Sequence, residues 1–153
     1  MRVHLLTSED HRTFDTAVRT FRRIDGVDHG PFPRDPASVA FVATEGDRVM
    51  GWAWGTRQRH AAGYSQVQLY EIEVVEPARR RGAGRALPTA FLDLARREGH
   101  QKVWLLTDAH DTAAQALYRS TRGEPSHHDD LGFWWQLGAK AGPSGPEDRP
   151  DRP

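Results

Sequence analysis

The sequence predicts one α/β domain, a mixed sheet flanked by helices, and three observations point there. Strand-like and helix-like blocks alternate in the order strand, helix, hairpin, long strand, helix, strand, helix, strands. A length of 153 residues suits a single domain. The large apolar residues fall in periodic blocks, so 37% hydrophobic residues suffice to bury one core and argue against wholesale disorder.

Residues 1 to 6 alternate as a first strand. Thr7 or Ser8 is placed to cap a helix whose Phe14, Val18 and Phe21 sit at helical spacing. Asp25 to Pro36, with two glycines and three prolines, reads as an irregular loop flanking a cleft. Ser38 to Thr44 and Arg48 to Thr56 are strands joined by a Glu45-Gly46-Asp47 hairpin turn, and Tyr64 to Glu76 is a longer strand. A turn at Arg79 to Gly84 opens a helix to about Glu98, with Leu87, Phe91, Leu94 and Ala95 on one face and Gly99 placed to end it. Pro88 inside that helix removes one hydrogen bond, at a cost of up to ~3 kcal/mol unless the helix kinks or starts late.

Val103 to Leu106 is a short buried strand, and Asp108, Asp111 and Thr112 stand at the mouth of an alanine-rich helix to about Arg119. Thr112 and Gln115 have capping-box spacing. Gly123 to Leu137, with a polar turn at His127 to Asp130 and the run Phe133, Trp134 and Trp135, reads as a final hairpin. The domain is therefore expected over residues 1–137. Residues 138–153, rich in Gly, Pro, Asp and Arg, are expected to be a disordered tail.

Lys and Arg number 21 and balance 21 Asp and Glu, so no whole-molecule field draws nucleic acid or anionic lipid. The local basic cluster is Arg79, Arg80 and Arg81. The absence of cysteine removes disulfides, thiolate metal sites and a cysteine nucleophile. The apolar run Val3 to Leu6 is too short for a signal peptide, and no run approaches the ~18 apolar residues of a membrane span. The compartment by default is the cytoplasm. Residues His127, His128, Asp129 and Asp130 would alternate in direction along a strand, so no metal site is expected there.

Gly82 and Gly84 let the chain turn tightly at a helix start, where free N–H groups and the helix dipole hold a phosphate, and the arginines add charge. Leu87 stands where a dinucleotide fingerprint needs its third glycine, and a Gly-Lys-Ser/Thr sequence is absent. The pattern Arg79-x-x-Gly82-x-Gly84, between a strand and a helix, instead resembles the acyl-CoA pyrophosphate loop of the GNAT superfamily of N-acetyltransferases. The likeness runs from Ser38 to Leu137 and includes Asp111 to Tyr118, with Ala114, Leu117 and Tyr118 as its Ala-x-x-Leu-Tyr ending.

The resemblance implies a GNAT fold with a mixed, mostly antiparallel central sheet, and acetyl-CoA as co-substrate. It implies that Ile72, Glu73 and Val74, with backbone N–H groups near Val74 and Val75, guide the pantetheine arm and polarise the acetyl carbonyl. The loop Arg79, Arg80, Arg81, Gly82, Ala83, Gly84 and Arg85, with Thr112, Ala114 and Leu117, would hold the rest of the cofactor, and Tyr118 would be the general acid. Tyr70-Glu71-Ile72 and the stretch from Thr107 and Asp108 to Asp111 look most like type I aminoglycoside 3-N-acetyltransferases, an antibiotic-resistance group. The chain departs from them in the Asp25 to Pro36 loop, at Pro88 and at Phe133 to Trp135.

A polycationic acceptor needs converging carboxylates, which Glu71, Glu73, Asp108, Asp111, Asp129 and Asp130 can supply, while His110 either orients substrate or is simply solvated. A period of two along Leu69 to Val75 puts Tyr70, Ile72 and Val74 on one face and Leu69, Glu71, Glu73 and Val75 on the other. Glu71 is the candidate base. At a reference pKa of ~4.3 it needs burial or a water relay to deprotonate an ammonium. The alternatives are a solvated pair of glutamates, a Tyr118 that belongs to the core, and an Asp111 or Thr112 that only caps its helix.

Without cysteine, the amine attacks directly in a ternary complex. Other small amines, a protein N-terminus or lysine, and a CoA sensor without turnover remain as other outcomes. A homodimer stays open, with Phe133 to Trp135 as interface or as a wall of the cleft.

Overall fold

Apolar residues at consecutive positions Val39 to Ala43 point alternately to the two faces of one strand, so each face of the sheet carries its own packed layer. The computed structural model describes residues 1–24 and 28–125. The expectations placed at Phe133 to Trp135, at His127 to Asp130 and on residues 138–153 lie outside them.

The strands are β1 (Arg2–Leu5), β2 (Ser38–Glu45), β3 (Arg48–Arg59), β4 (Ser65–Val74) and β5 (Lys102–Trp104), adjacent in that order in one sheet. The first four run antiparallel and β5 joins β4 in parallel. The helices are α1 (His11–Arg22), α2 (Pro31–Arg34), α3 (Ala83–Arg97) and α4 (Thr112–Ser120). On one face Val39, Phe41, Ala53, Val67 and Leu69 pack against Leu87, Phe91, Leu94 and Ala95 of α3. On the other, Ala40, Val42 and Trp52 pack against Phe14, Ala17 and Val18 of α1.

Three local expectations are corrected. Neither Thr7 nor Ser8 caps α1. Asp10 is its N-cap residue, and the Asp10 carboxylate instead accepts from the Thr7 amide and hydroxyl, both at 2.8 Å. The loop at Asp25 to Pro36 contains one helical turn, α2, because Pro31 at its start presets φ and Phe32 stacks on Phe14 with centroids 4.9 Å apart. The strand expected to reach Leu106 stops at Trp104, leaving Leu106 exposed.

The fourth correction concerns β4. Trp54 pairs with Glu71 but Gly55 pairs with Leu69, so Tyr70 is an extra residue, a β-bulge. The bulge breaks the period of two. Leu69 packs in the α3 layer together with Ile72 and Val74, whereas Tyr70 stacks on Trp54 at 4.5 Å on the α1 side. Glu71 and Glu73 still share a face, as expected, because both follow the bulge.

The bulge also needs Gly55. A Cβ there would lie 1.9 Å from the Gln68 carbonyl oxygen. Gly55→Ala should destabilise the fold by about 3 kcal/mol or more in urea unfolding. Gly84→Ala, whose Cβ would meet only Leu117 at 3.8 Å, should stay within about 1 kcal/mol of wild type.

Candidate active site

The parallel pairing of β5 covers only Gln66, Val67 and Gln68, so among the described residues β4 beyond the bulge has a partner on one edge and an open edge on the other. The Val75 amide, expected among the free donors, is bonded to the Met50 carbonyl at 2.9 Å. Because successive residues of an antiparallel strand aim their backbone groups in alternate directions, Glu73 and Glu71 also face β3, and Ile72 and Val74 face the open edge. Arg79 Nε donates to the Val74 carbonyl at 3.4 Å, as that direction requires. The backbone of Glu73 is therefore turned toward β3, and those of Ile72 and Val74 toward the open edge.

The open edge leads into the Arg79 to Gly84 turn. Arg80 (φ 61°) and Gly82 (φ 90°) are both left-handed, which a glycine adopts freely and an arginine does not. Among the described residues, the amides of Arg80, Arg81, Gly82, Ala83 and Gly84 donate to no carbonyl, while those of Arg85 and Ala86 bond to Gly82 O. With Gly82 at the N-cap of α3 and no side-chain cap, this is a concave row of donors at the positive end of a helix dipole.

The arginines divide their duties. Arg81 pairs with Glu45 at 2.6 Å and Arg79 braces Val74, whereas Arg80 and Arg85 are exposed. Pro88 withholds the amide that would otherwise donate to Gly84 O.

Glu71 is the most perturbed group. Arg22 and Trp54 both donate to Oε2, Trp54 Nε1 at 3.1 Å, while Oε1 is buried without a donor. Burial first, then the neighbouring Glu73 carboxyl, push Glu71 up to about 7 against the opposing pull of Arg22 and Trp54. That supplies the burial a glutamate base needs.

Around it stands an aromatic wall: Trp54 between Tyr70, half exposed, and Phe32, edge-on at 5.6 Å. Sequence reasoning missed Arg22, Trp54 and Phe32. The available signal was Arg22 itself, which falls on the Phe14 and Val18 row of α1, where an apolar residue is expected.

The α4 side behaves more conventionally. Asp111, not Thr112, is the N-cap, its Oδ1 accepting from Ala114 N at 2.9 Å. Gln115 reaches Ala109 O at 2.7 Å, so no capping box forms. Asp108 Oδ1 accepts from His110 N at 2.7 Å. Asp108, His110 and Thr112 are exposed, and Ala114 and Leu117 are half-buried.

Burial, and then the Asp111 carboxylate, push the pKa of the Tyr118 phenol up, with the Thr107 hydroxyl opposing. A phenol held protonated is suited to give up a proton rather than to take one. Among the described residues no hydrogen bond joins Tyr118 to Glu71. No group of three metal-ligating side chains occurs among them, and no described helix is long and apolar enough to cross a membrane.

Comparison with known proteins bears on the family and the fold. A family model described as acetyltransferase (GNAT) family matches residues 5–123. A mycothiol acetyltransferase of Renibacterium salmoninarum is 31% identical over 56% of the chain, and one of Pseudarthrobacter chlorophenolicus is 32% identical over 71%. The chain spans only 26% and 31% of the length of these two relatives. The fold superposes on an aminoglycoside acetyltransferase from an uncultured soil metagenomic sample, solved with sisomicin, with a TM-score of 0.79 and 19% identity. That match covers 90% of this chain and 96% of the other.

The raised pKa of Glu71 has a stability consequence with a defined sign. A carboxyl raised from 4.5 to about 7 contributes fully below its unfolded value and loses that contribution as pH rises through about 7. Glu71→Gln should therefore gain stability relative to wild type between pH 5 and pH 8, on the order of 2 kcal/mol, in paired thermal melts.

Proposed function

The chain belongs to the GNAT acetyltransferase family, and from that premise we propose an acetyl-CoA-dependent N-acetyltransferase of a small cationic amine, with an aminoglycoside as the leading acceptor. The observation that carries it is Glu71, a part-buried carboxyl raised to about 7, on a strand whose open edge leads to a row of free helix N-terminal amides. Acetyl-CoA supplies the activated acetyl thioester. The amides from Arg80 to Gly84 and the exposed Arg80 and Arg85 suit its pyrophosphate, and the open-edge amides of Ile72 and Val74 suit its pantetheine arm and acetyl carbonyl.

In this proposal Glu71 takes the proton that the acceptor nitrogen must lose, and that nitrogen forms the new bond to the acetyl carbon as the C–S bond breaks. Tyr118 gives its phenolic proton to the departing sulfur, and the proton held by Glu71 leaves to solvent as the phenol is replenished. The products are the N-acetylated amine and the free thiol of CoA. Trp54 and Tyr70 offer a flat aromatic surface beside the base, and Glu73 offers a negative charge, a pairing suited to a cation carried on a ring.

Attack at a 3-amino group rests on the likeness of Tyr70-Glu71-Ile72 to the 3-N-acetyltransferases. The sequence match to mycothiol acetyltransferases favours a second reading, in which the acceptor is the amine those enzymes acetylate.

The test is release of free thiol from acetyl-CoA against aminoglycosides, other amino sugars, polyamines and lysine peptides. We expect turnover on an amino-sugar amine, with kcat down about 100-fold or more in Glu71→Gln and CoA affinity retained. Tyr118→Phe should also lose kcat. Full rates in both variants would overturn the assignment, and CoA binding without turnover on any amine would point to a sensor.

A further inference from the structure

Glu71 receives two donors on one oxygen and none on the other. Arg22 Nη2 and Trp54 Nε1 both reach Oε2, and Oε1 is buried without a partner among the described residues. A buried carboxylate oxygen left bare is uncommon and costs stability unless something supplies a proton to it. Arg22 lies 49 residues from Glu71 in sequence and closes the α1 row Phe14, Val18, Arg22, so a charge occupies the place where the helix stripe calls for an apolar side chain. A cation at a helix C-terminus is ordinarily favoured by the dipole and left in solvent. Here it crosses to the sheet instead.

Among the described residues, the charged groups acting on Glu71 are Arg22 from α1 and Glu73 from its own strand, while β3 contributes the indole of Trp54. Arg22 is thus the single positive charge among them.

We propose that Arg22 is a positioning residue: with Trp54 it anchors the Glu71 carboxyl through Oε2 and fixes its rotamer on β4. The inference rests on the assignment of Glu71 as base. Two donors on one oxygen, one from α1 and one from β3, restrict the side chain to a single rotamer. The guanidinium also keeps the carboxyl ionisable in a buried site where Glu73 would otherwise hold it protonated.

The test is the pH dependence of kcat/KM for wild type, Arg22→Met, Arg22→Lys, Trp54→Phe and Glu71→Gln. Wild type should show an acid limb, and Glu71→Gln should abolish it. Removing the positive charge in Arg22→Met should move that limb up by about one pH unit, a loss of about tenfold well below the limb that shrinks at high pH. Arg22→Lys should restore the wild-type limb, and Trp54→Phe should shift it up by a smaller amount.

An unmoved limb in both Arg22→Met and Trp54→Phe, or an equal loss at every pH, would overturn the proposal while leaving Glu71 as base. A limb that persists in Glu71→Gln would overturn the base assignment itself. If Arg22→Met fails to fold, Trp54→Phe carries the same decision.

Discussion

The β-bulge at Tyr70, made possible by Gly55, is the constraint on which the site depends. It lets β4 satisfy two incompatible demands, a core-facing row for α3 and a carboxylate row for the cleft. Without the extra residue, a strict period of two would put Leu69 on the same face as Glu71 and Glu73. With it, Leu69, Ile72 and Val74 all pack toward α3, and Tyr70, Glu71 and Glu73 gather on the other side. The bulge residue Tyr70 also lies two residues after Gln68, the last that β5 covers, so the carboxylates fall on the uncovered part of the strand.

Electrostatically the two ends of the site are complementary. At the turn before α3 the protein presents backbone donors, and the arginines around them are partly spent on bracing: Arg81 on Glu45 and Arg79 on Val74. On β4 two acids stand side by side and one is buried, which raises the energy of its charged form until Arg22 and Trp54 bring it back within reach of neutral pH. A base with ionisation near 7 combines a useful fraction of free carboxylate with real proton affinity, which an exposed glutamate lacks.

Much of the framework was legible in the sequence. The β2–β3 hairpin follows from Gly46, which sits at φ 56°, and α3 follows from the spacing of Leu87, Phe91 and Leu94 together with the glycines ahead of it. What escaped is what depends on a partner segment. A bulge changes nothing in the local pattern of Leu69 to Val75, because it is defined by Gly55 on the neighbouring strand. Asp10 and Asp111 as N-cap residues, rather than Thr7 or Thr112, are decided by a one-residue choice between similar side chains. The roles of Arg22 and Trp54 emerge only when α1 and β3 are brought against β4. The free Val75 amide was expected from family likeness and is consumed by Met50.

The central claim is that Glu71 is a part-buried carboxyl poised to exchange a proton near neutral pH. A carbon-13 NMR titration of the glutamate carboxyls, with the Glu71 resonance assigned by its loss in Glu71→Gln, tests this directly. The account predicts a midpoint near 7 for that resonance. A midpoint at the ordinary carboxylate value of ~4.3 would contradict it.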